Sequence, residues 1–227
     1  MPRPPVATLL QAIHQDVVAC HACPRLVSWR EQVAVEKRAA YRDEVYWGRG
    51  VPGFGDPKAR ILIVGLAPAA HGANRTGRVF TGDRSGDFLF AALYRVGLAS
   101  QPEAVSLDDG LILRDVFITS PVKCAPPANK PTPDEKTMCR PFFQREVDAL
   151  AAVKVVLVLG QIGYVAAAAE FGLQPRPGFG HGVEAPIGDG RTILCSYHVS
   201  QQNTFTGRLT EPMFDSVLHR ACELADK

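Results

Sequence analysis

The hydrophobic pattern of the chain alternates between short apolar runs and longer segments in which apolar residues recur at helical spacing. Four runs have the length and composition of buried strands, at residues 61–64, 116–119, 153–159 and 192–197. Segments compatible with helices lie between and around them, at residues 6–19, 25–42, 88–98, 139–150, 162–171 and 212–225. Strands that alternate with helices favour the α/β class, with a parallel sheet covered by helices on both faces.

The composition is that of an ordinary globular chain, with 46% apolar and 21% charged residues in a length of 227. That length suits a single domain over residues 1–227, because the sequence has neither an internal repeat nor a low-complexity linker. No apolar stretch is long enough to span a bilayer, and the start of the chain, M-P-R-P-P, lacks the apolar core of a signal peptide. We therefore expect a cytoplasmic location.

Residues 65–83 form a long loop between the first predicted strand and the next helix. Open α/β sheets bind ligands at the carboxyl ends of their strands, where small residues let backbone N–H groups approach closely. The loop lacks the G-K-S/T ending of a P-loop, a close match to the dinucleotide-binding pattern and a serine nucleophile elbow. It offers backbone amides, the ring of Phe80 and the carboxylate of Asp83.

The net charge of +2 is too small to indicate a nucleic-acid partner by itself. Basic residues nevertheless cluster around the loop at 65–83 and around a proline-rich loop at 120–133, which the prolines predict to be stiff and extended. They are Arg75, Arg78, Arg84, Lys123, Lys130 and Lys136. Basic groups at one mouth attract phosphates whatever the net charge.

Six cysteines in a cytosolic chain indicate metal binding better than disulfides, because that compartment keeps thiols reduced. Cys195 and Cys222 lie inside a predicted strand and helix, as inert small apolar residues do. The other four lie in irregular segments: Cys20, Cys23, Cys124 and Cys139. Spacing alone leaves zinc and an iron–sulfur cluster equally favoured, with no metal as a third possibility. A C-x-x-C far upstream of two single cysteines is not a zinc-ribbon pattern, and it suits a [4Fe–4S] cluster.

Two loops carry a recognisable pattern. The segments G-L-A-P-A-A-H-G-A-N-R-T-G-R-V-F-T-G-D at 65–83 and H-V-S-Q-Q-N-T-F-T-G-R-L-T at 198–210 resemble the two signature motifs of the uracil-DNA glycosylase superfamily. More narrowly, the chain resembles its family 5, or type B, members. Three further segments match in the same order: C-P-R-L at 23–26, V-P-G-F-G-D-P at 51–57 and K-C-A-P-P-A-N-K-P-T-P at 123–133.

The resemblance implies a three-layer α/β/α sandwich around a central four-stranded parallel sheet. It also implies a [4Fe–4S] cluster on the four cysteines in irregular segments, with a structural role, since glycosidic hydrolysis needs no electron. The expected activity is that of a monofunctional DNA glycosylase of base excision repair. Such an enzyme flips uracil out of DNA, hydrolyses its glycosidic bond and leaves an abasic site. We expect a monomer whose partner is damaged DNA, nucleoid-associated when bound.

Two departures from the broader superfamily bear on specificity. Ala67 and Ala69 stand where most members hold an acidic or amide side chain that directs the attacking water. Thr119 and Ser120 stand where many keep an asparagine that reads uracil. Both departures are typical of family 5, so activity on other deaminated bases such as hypoxanthine is expected.

The reaction builds positive charge on the sugar and negative charge on the leaving base, which suggests roles for individual residues. Asp83 would stabilise the sugar cation and orient water, and His198 would donate a hydrogen bond to the base. Asn129 would contact the base or assist the water, and Phe80 would stack on the flipped base. Gly65, Leu66 and Ala67 would supply backbone contacts to the base edge. The residues expected to contact DNA are Arg75, Ser200, Gln201, Gln202, Asn203 and Arg208.

Two other classes of protein compete with this interpretation. A non-catalytic iron–sulfur protein could bind damaged DNA without cutting it. A zinc-containing hydrolase of free nucleosides would be colourless and would have no affinity for duplex DNA.

Overall fold

The computed structural model describes residues 4–227 and has a six-stranded sheet with the strand order β1-β3-β2-β4-β6-β5. The strands are β1 (Phe54–Gly55), β2 (Ile61–Val64), β3 (Val116–Thr119), β4 (Val155–Leu159), β5 (Glu184–Pro186) and β6 (Thr192–Ser196). The helices are α1 (Val6–Val18), α2 (Pro24–Glu36), α3 (Ala73–Thr76), α4 (Arg84–Arg95), α5 (Pro133–Ala149), α6 (Gln161–Glu170), α7 (Gln201–Phe205) and α8 (Glu211–Ala225). The prediction that the chain lacks a signal peptide rests partly on residues 1–3, which lie outside the residues that the structure describes.

The four predicted strands form the parallel centre of the sheet, in the order β3-β2-β4-β6. Their residues are almost all buried, which is why they read as continuous apolar runs. The two edge strands were not predicted. β1 and β5 pair antiparallel with β3 and β6, and both are short, only partly buried and rich in glycine or proline.

Successive strand residues point to opposite faces of the sheet and build two cores. Ile61 and Ile63 of β2 pack with residues of α4 and α8, whereas Leu62 and Val64 pack with residues of α5 and α6. The sheet is therefore covered by helices on both sides, as the α/β/α prediction requires. No helix within residues 4–227 is long and apolar enough to cross a membrane.

Several local elements differ from the prediction. The charged helix ends at Glu36 rather than near residue 42, because Lys37 adopts a left-handed φ of 54°. The loop at 65–83 contains the short helix α3, and the proline-rich loop contains a single 3₁₀ turn at Pro127–Asn129. The hydrophobic pattern of the sequence predicts neither element, because a single helical turn has too few residues to show a helical period.

Candidate active site

A cavity of about 470 Å³ opens at the carboxyl edge of the sheet. Each of the four parallel strands delivers one of its walls: Leu66 follows β2, Ser120 follows β3, Gly160 follows β4 and His198 follows β6. The cavity is therefore a product of the parallel sheet, whose strand ends all meet at this edge. Its lining also includes Ala67, Phe80, Asp83 and Asn129. The structure thus brings together the three proposed catalytic residues and the proposed aromatic wall.

Asp83 lies at the N-terminus of α4 and is its N-cap. Its Oδ1 accepts hydrogen bonds from the backbone N–H groups of Ser85 and Gly86, at 2.9 and 3.0 Å. The other oxygen, Oδ2, is not used by the cap and lies against Gly72, where an added Cβ would stand 2.2 Å from it. Burial raises the pKa of Asp83, and the two backbone hydrogen bonds oppose that rise. The Asp83 side chain is thus fixed through Oδ1, and Oδ2 makes no hydrogen bond within the cap.

Phe80 forms the aromatic wall in a strained backbone conformation, with φ at 53°. Its ring lies over Gly65, where an added Cβ would meet the ring at 2.8 Å. Its carbonyl oxygen approaches Gly86 so closely that a Cβ there would stand at 1.7 Å. The ring centroid lies 6.2 Å from that of His198, tilted by 36°. Gly65 therefore acts by leaving room for the ring, and it does not itself line the cavity.

His198 stands two residues beyond the end of β6. Gly160, with φ at 87°, lies beside it, and a Cβ there would approach the His198 Cβ at 3.1 Å. Burial lowers the pKa of His198, so its imidazole is neutral at neutral pH. Among residues 4–227 its ring has Phe80 as aromatic neighbour and no hydrogen-bond partner. A neutral ring of this kind can still donate through one N–H.

Asn129 is exposed and ends the 3₁₀ turn of the proline-rich loop, with φ at 56°. The far end of this loop is anchored by a capping box at the start of α5, between Thr132 and Glu135. Arg25 donates two hydrogen bonds to Glu135, both at 2.7 Å, and one to the Lys130 carbonyl at 3.2 Å. The loop that carries Asn129 is therefore tied to helix α2.

The segment after His198 folds into the five-residue helix α7. Ser200 and Gln202 line the cavity, and Gln201 is exposed beside them. Asn203 instead donates its amide to the His198 carbonyl at 2.8 Å, and the Arg208 guanidinium stacks on the Tyr197 ring at 4.8 Å. Only part of the predicted DNA-binding set therefore points toward the cavity.

Sequence reasoning did not single out three residues of this edge. Phe205 ends α7 with 73% of its surface exposed, and Gln161 and Ile162 line the cavity from the start of α6. The position of Gln161 and Ile162 directly after a parallel strand was a signal that could have found them. An aromatic residue in a loop of otherwise polar residues was the corresponding signal for Phe205.

Several basic residues predicted to attract phosphates are structural instead. The Arg75 side chain is 9% exposed, pairs with Glu44 and donates to the carbonyls of His71 and Gly82, at 2.9 and 2.7 Å. Arg75 therefore connects two parts of its own loop through hydrogen bonds. Arg78 and Lys123 are buried and pair with Asp109 and Glu146, respectively. Only Arg84, Lys130 and Lys136 of that group remain exposed.

The four cysteines in irregular segments line one small cavity walled by apolar side chains such as Leu26, Met138 and Phe142. The Arg30 guanidinium donates to the Cys124 sulfur at 3.0 Å, and the Lys123 backbone N–H donates to the Cys139 sulfur at 3.2 Å. Across residues 4–227, no group of three or more His, Cys, Asp or Glu side chains is arranged to hold a single metal ion.

The electrostatics of the cysteine site disfavour free thiolates. Burial raises the pKa of Cys139 to about 12. Burial also raises the pKa of Cys23, and the neighbouring Cys20 and Cys124 raise it further. These sulfurs are close enough that the charge of one thiolate would repel the next, and N–H groups donate to two of them. Such a set of sulfurs is suited to a group that carries compensating positive charge.

The fold and the cavity define an α/β protein with a nucleotide-sized site at its strand ends, and comparison with known proteins gives the family. The model of the uracil DNA glycosylase superfamily matches residues 52–221. A type-5 uracil-DNA glycosylase of Thermus thermophilus is 53% identical over 95% of this chain and 98% of that relative. Another of Mycobacterium tuberculosis is 52% identical over 92% of this chain and 79% of the relative. A type-4 uracil-DNA glycosylase of Sulfurisphaera tokodaii is 31% identical over 67% of this chain. The chain belongs to the uracil-DNA glycosylase superfamily, in its type-5 branch.

Proposed function

We propose that the protein is a monofunctional DNA glycosylase that removes uracil from DNA by hydrolysis. The observation that carries the proposal is the meeting of Asp83, Asn129, His198 and Phe80, from three separate loops, around one cavity. Its volume, about 470 Å³, is within the range of small-molecule sites and suits one extruded nucleotide. The type-5 relatives carry this activity in their names.

Asp83 stabilises the sugar as its bond to the base lengthens. The transition state has oxocarbenium character at C1′, and a nearby carboxylate lowers its energy and orients the attacking water. The backbone hydrogen bonds to Oδ1 oppose the rise in pKa that burial causes and fix the carboxyl, so Oδ2 is available for the sugar and the water. Asn129, at the opposite loop, supports the water or the base with its amide.

His198 acts on the leaving base. Negative charge develops on the base oxygens as the bond breaks, and a hydrogen-bond donor aimed at them stabilises it. Burial favours the neutral imidazole, which keeps one N–H, so His198 donates this hydrogen bond without having to be protonated. Phe80 supplies the apolar face that replaces the stacking lost when the nucleotide leaves the duplex.

The site also has features of a relaxed specificity. Ala67, Ala69 and Ser120 line the cavity where bulkier amide or acidic side chains would narrow it. A cavity with small walls admits a purine as well as a pyrimidine, so hypoxanthine is a second substrate of the same site.

DNA contacts come from α7 and its surroundings. Ser200 and Gln202 border the cavity, and Phe205 projects into solvent from the same short helix. An exposed aromatic side chain next to a flipping site is suited to enter the base stack and fill the gap left by the extruded nucleotide. Arg208, stacked on Tyr197, provides a positive charge for a phosphate nearby.

Cys20, Cys23, Cys124 and Cys139 would hold a [4Fe–4S] cluster. The shared cavity, its apolar wall and the two N–H donors to sulfur fit such a group. The cluster would supply no chemistry to the hydrolysis, and it would fasten the N-terminal segment to the proline-rich loop and α5.

The proposal is tested by incubating the protein with a duplex that contains one uracil and then treating the DNA with alkali. Strand cleavage at the uracil position is the expected result, because alkali cuts at abasic sites. An intact strand after incubation, with duplex binding retained, would make the protein a damage sensor rather than an enzyme. Parallel duplexes with hypoxanthine, xanthine and thymine define the range of bases removed.

A further inference from the structure

His181 lies in the loop between α6 and β5, outside the cavity lining, yet it contacts the backbone that presents His198. The loop is held to the sheet by the Gly182 N–H, which donates to the Cys195 carbonyl at 2.7 Å. The imidazole of His181 then lies against the Tyr197 ring, with centroids 5.1 Å apart and planes tilted by 31°. His181 therefore has a fixed place beside the end of β6.

The decisive contact is a hydrogen bond from the backbone. The Tyr197 backbone nitrogen lies 3.3 Å from His181 Nδ1, on the edge of β6 that faces β5, where two residues earlier the Cys195 N–H donates to the Val183 carbonyl at 2.9 Å. A backbone N–H can only donate, so Nδ1 must be the unprotonated nitrogen and the imidazole must be neutral. Burial lowers the pKa of His181, which likewise favours the neutral ring. The His181 ring thus takes the place of a β5 carbonyl as the acceptor for the Tyr197 N–H.

The other side of His198 is held in the same manner. Asn203 donates its side-chain amide to the His198 carbonyl at 2.8 Å. The Ser196–Tyr197 peptide and the peptide that follows His198 are therefore both held by side chains, while the His198 imidazole has no hydrogen-bond partner among the described residues. A side chain that must keep its own N–H free for the substrate can still be oriented, because hydrogen bonds to its backbone hold the backbone in place.

From this geometry we infer that His181 is a positioning residue for His198, acting through the Tyr197 N–H. The inference rests on the proposed function, in which His198 stabilises the leaving base. A displacement of the imidazole by a fraction of an ångström weakens a transition-state hydrogen bond more than it weakens DNA binding. Loss of the Nδ1 acceptor should consequently slow excision and leave affinity for duplex DNA unchanged.

Two variants separate the acceptor from the ring. His181→Phe keeps a ring against Tyr197 and removes the acceptor, whereas His181→Asn keeps an acceptor oxygen near the position of Nδ1. We expect single-turnover excision of uracil to be about tenfold slower or more in His181→Phe, with an unchanged Kd for duplex DNA. His181→Asn should retain about a third or more of the wild-type rate.

Two results would overturn the inference: a wild-type rate in His181→Phe, or equal losses in both variants. NMR of the His198 ring, assigned by comparison with His198→Ala, gives a readout that does not need activity. Its chemical shifts should move in His181→Phe and stay in His181→Asn, and unmoved shifts in His181→Phe would also overturn the inference. A wild-type protein that excises no base would refute the proposed function, and the NMR comparison would then decide the placement of His198 alone.

Discussion

In the proposed mechanism Asp83 combines two roles in one side chain, since Oδ1 caps α4 and Oδ2, which the cap does not use, faces the sugar and the water. A residue at an N-cap is usually explained by the cap alone. Here the cap also fixes the carboxylate, since the helix start cannot move without moving the side chain. The structural role and the proposed catalytic role can be separated because asparagine caps helices as well as aspartate does.

Asp83→Asn should therefore abolish excision without destabilising the fold. We expect the single-turnover rate to fall by about a hundredfold or more, because the amide carries no charge to stabilise the sugar cation. The melting temperature should stay close to that of the wild type. Asp83→Ala serves as the comparison, because it should lose the same activity and in addition about 1 kcal/mol of stability. Substantial excision by Asp83→Asn would remove the carboxylate from the mechanism.

The pH dependence of excision should show the environment of Asp83. Its pKa is raised by burial, and the ionised form is the active one, so the rate should fall on acidification at a pH above that of an ordinary aspartate. The residual activity of Asp83→Asn should lack this acid limb. Single-turnover rates across the acid range, normalised to DNA binding at each pH, measure it. An acid limb that is identical in the variant would assign the titration to another group.

At the scale of elements, the four central strands could be predicted because complete burial leaves an unmistakable apolar run. The convergence of Asp83, Asn129 and His198 was also predictable, since loops after parallel strands meet at one edge. The pattern could not reveal which basic residues are solvent-exposed. Arg75 and Arg78 look like phosphate ligands in sequence, and their partners, Glu44 and Asp109, lie more than thirty residues away along the chain.

The ion pair of Arg78 and Asp109 should be important for the stability of the loop at 65–83. Both side chains are buried, and Asp109 also accepts backbone hydrogen bonds from Val105 and Leu111. Asp109→Asn leaves the buried guanidinium unpaired and should cost about 3 kcal/mol in the free energy of unfolding. Denaturant titration measures it, with the exposed Asp43→Asn as a control expected to change stability by less than about 0.5 kcal/mol.

The same pair predicts a pH dependence of stability. Arg78 and the backbone donors hold the pKa of Asp109 well below that of the unfolded chain. The stabilisation is therefore present at neutral pH and is lost as the pH falls below about 4. The difference in unfolding free energy between wild type and Asp109→Asn should shrink in that range. A difference that is constant from neutral to acid pH would contradict the assignment.

For the molecule as a whole, the cysteine site joins segments that are far apart in sequence. Cys20 and Cys23 directly precede α2, while Cys124 precedes the turn that carries Asn129 and Cys139 lies in α5. The Arg30 guanidinium also contacts both the Cys124 sulfur and the Cys20 carbonyl, each at 3.0 Å. Through this site, the N-terminal helices are attached to one wall of the catalytic cavity.

Cys124→Ser should therefore affect the whole chain. If the proposed cluster is held here, we expect loss of its visible absorption, a reduced iron content and a lower melting temperature, because the attachment between α2 and the proline-rich loop is weakened. Cys222→Ser, in α8 and away from this site, is the matched control and should keep both colour and stability. A colourless wild-type protein that contains zinc instead of iron would overturn the assignment of the group.

Two glycines lie directly behind cavity residues, Gly72 beside the Asp83 carboxylate and Gly86 beside the Phe80 carbonyl, and they carry no reactive atoms of their own. Any side chain at Gly72 would collide with the Asp83 carboxylate, and any side chain at Gly86 would collide with the backbone of Phe80, whose ring is the proposed aromatic wall. In a saturation library selected for repair of uracil in cells, both sites should tolerate as few replacements as the acidic residue and the aromatic ring that they adjoin. In this protein, a position that accepts no substitution can therefore be one that only leaves room for its neighbour.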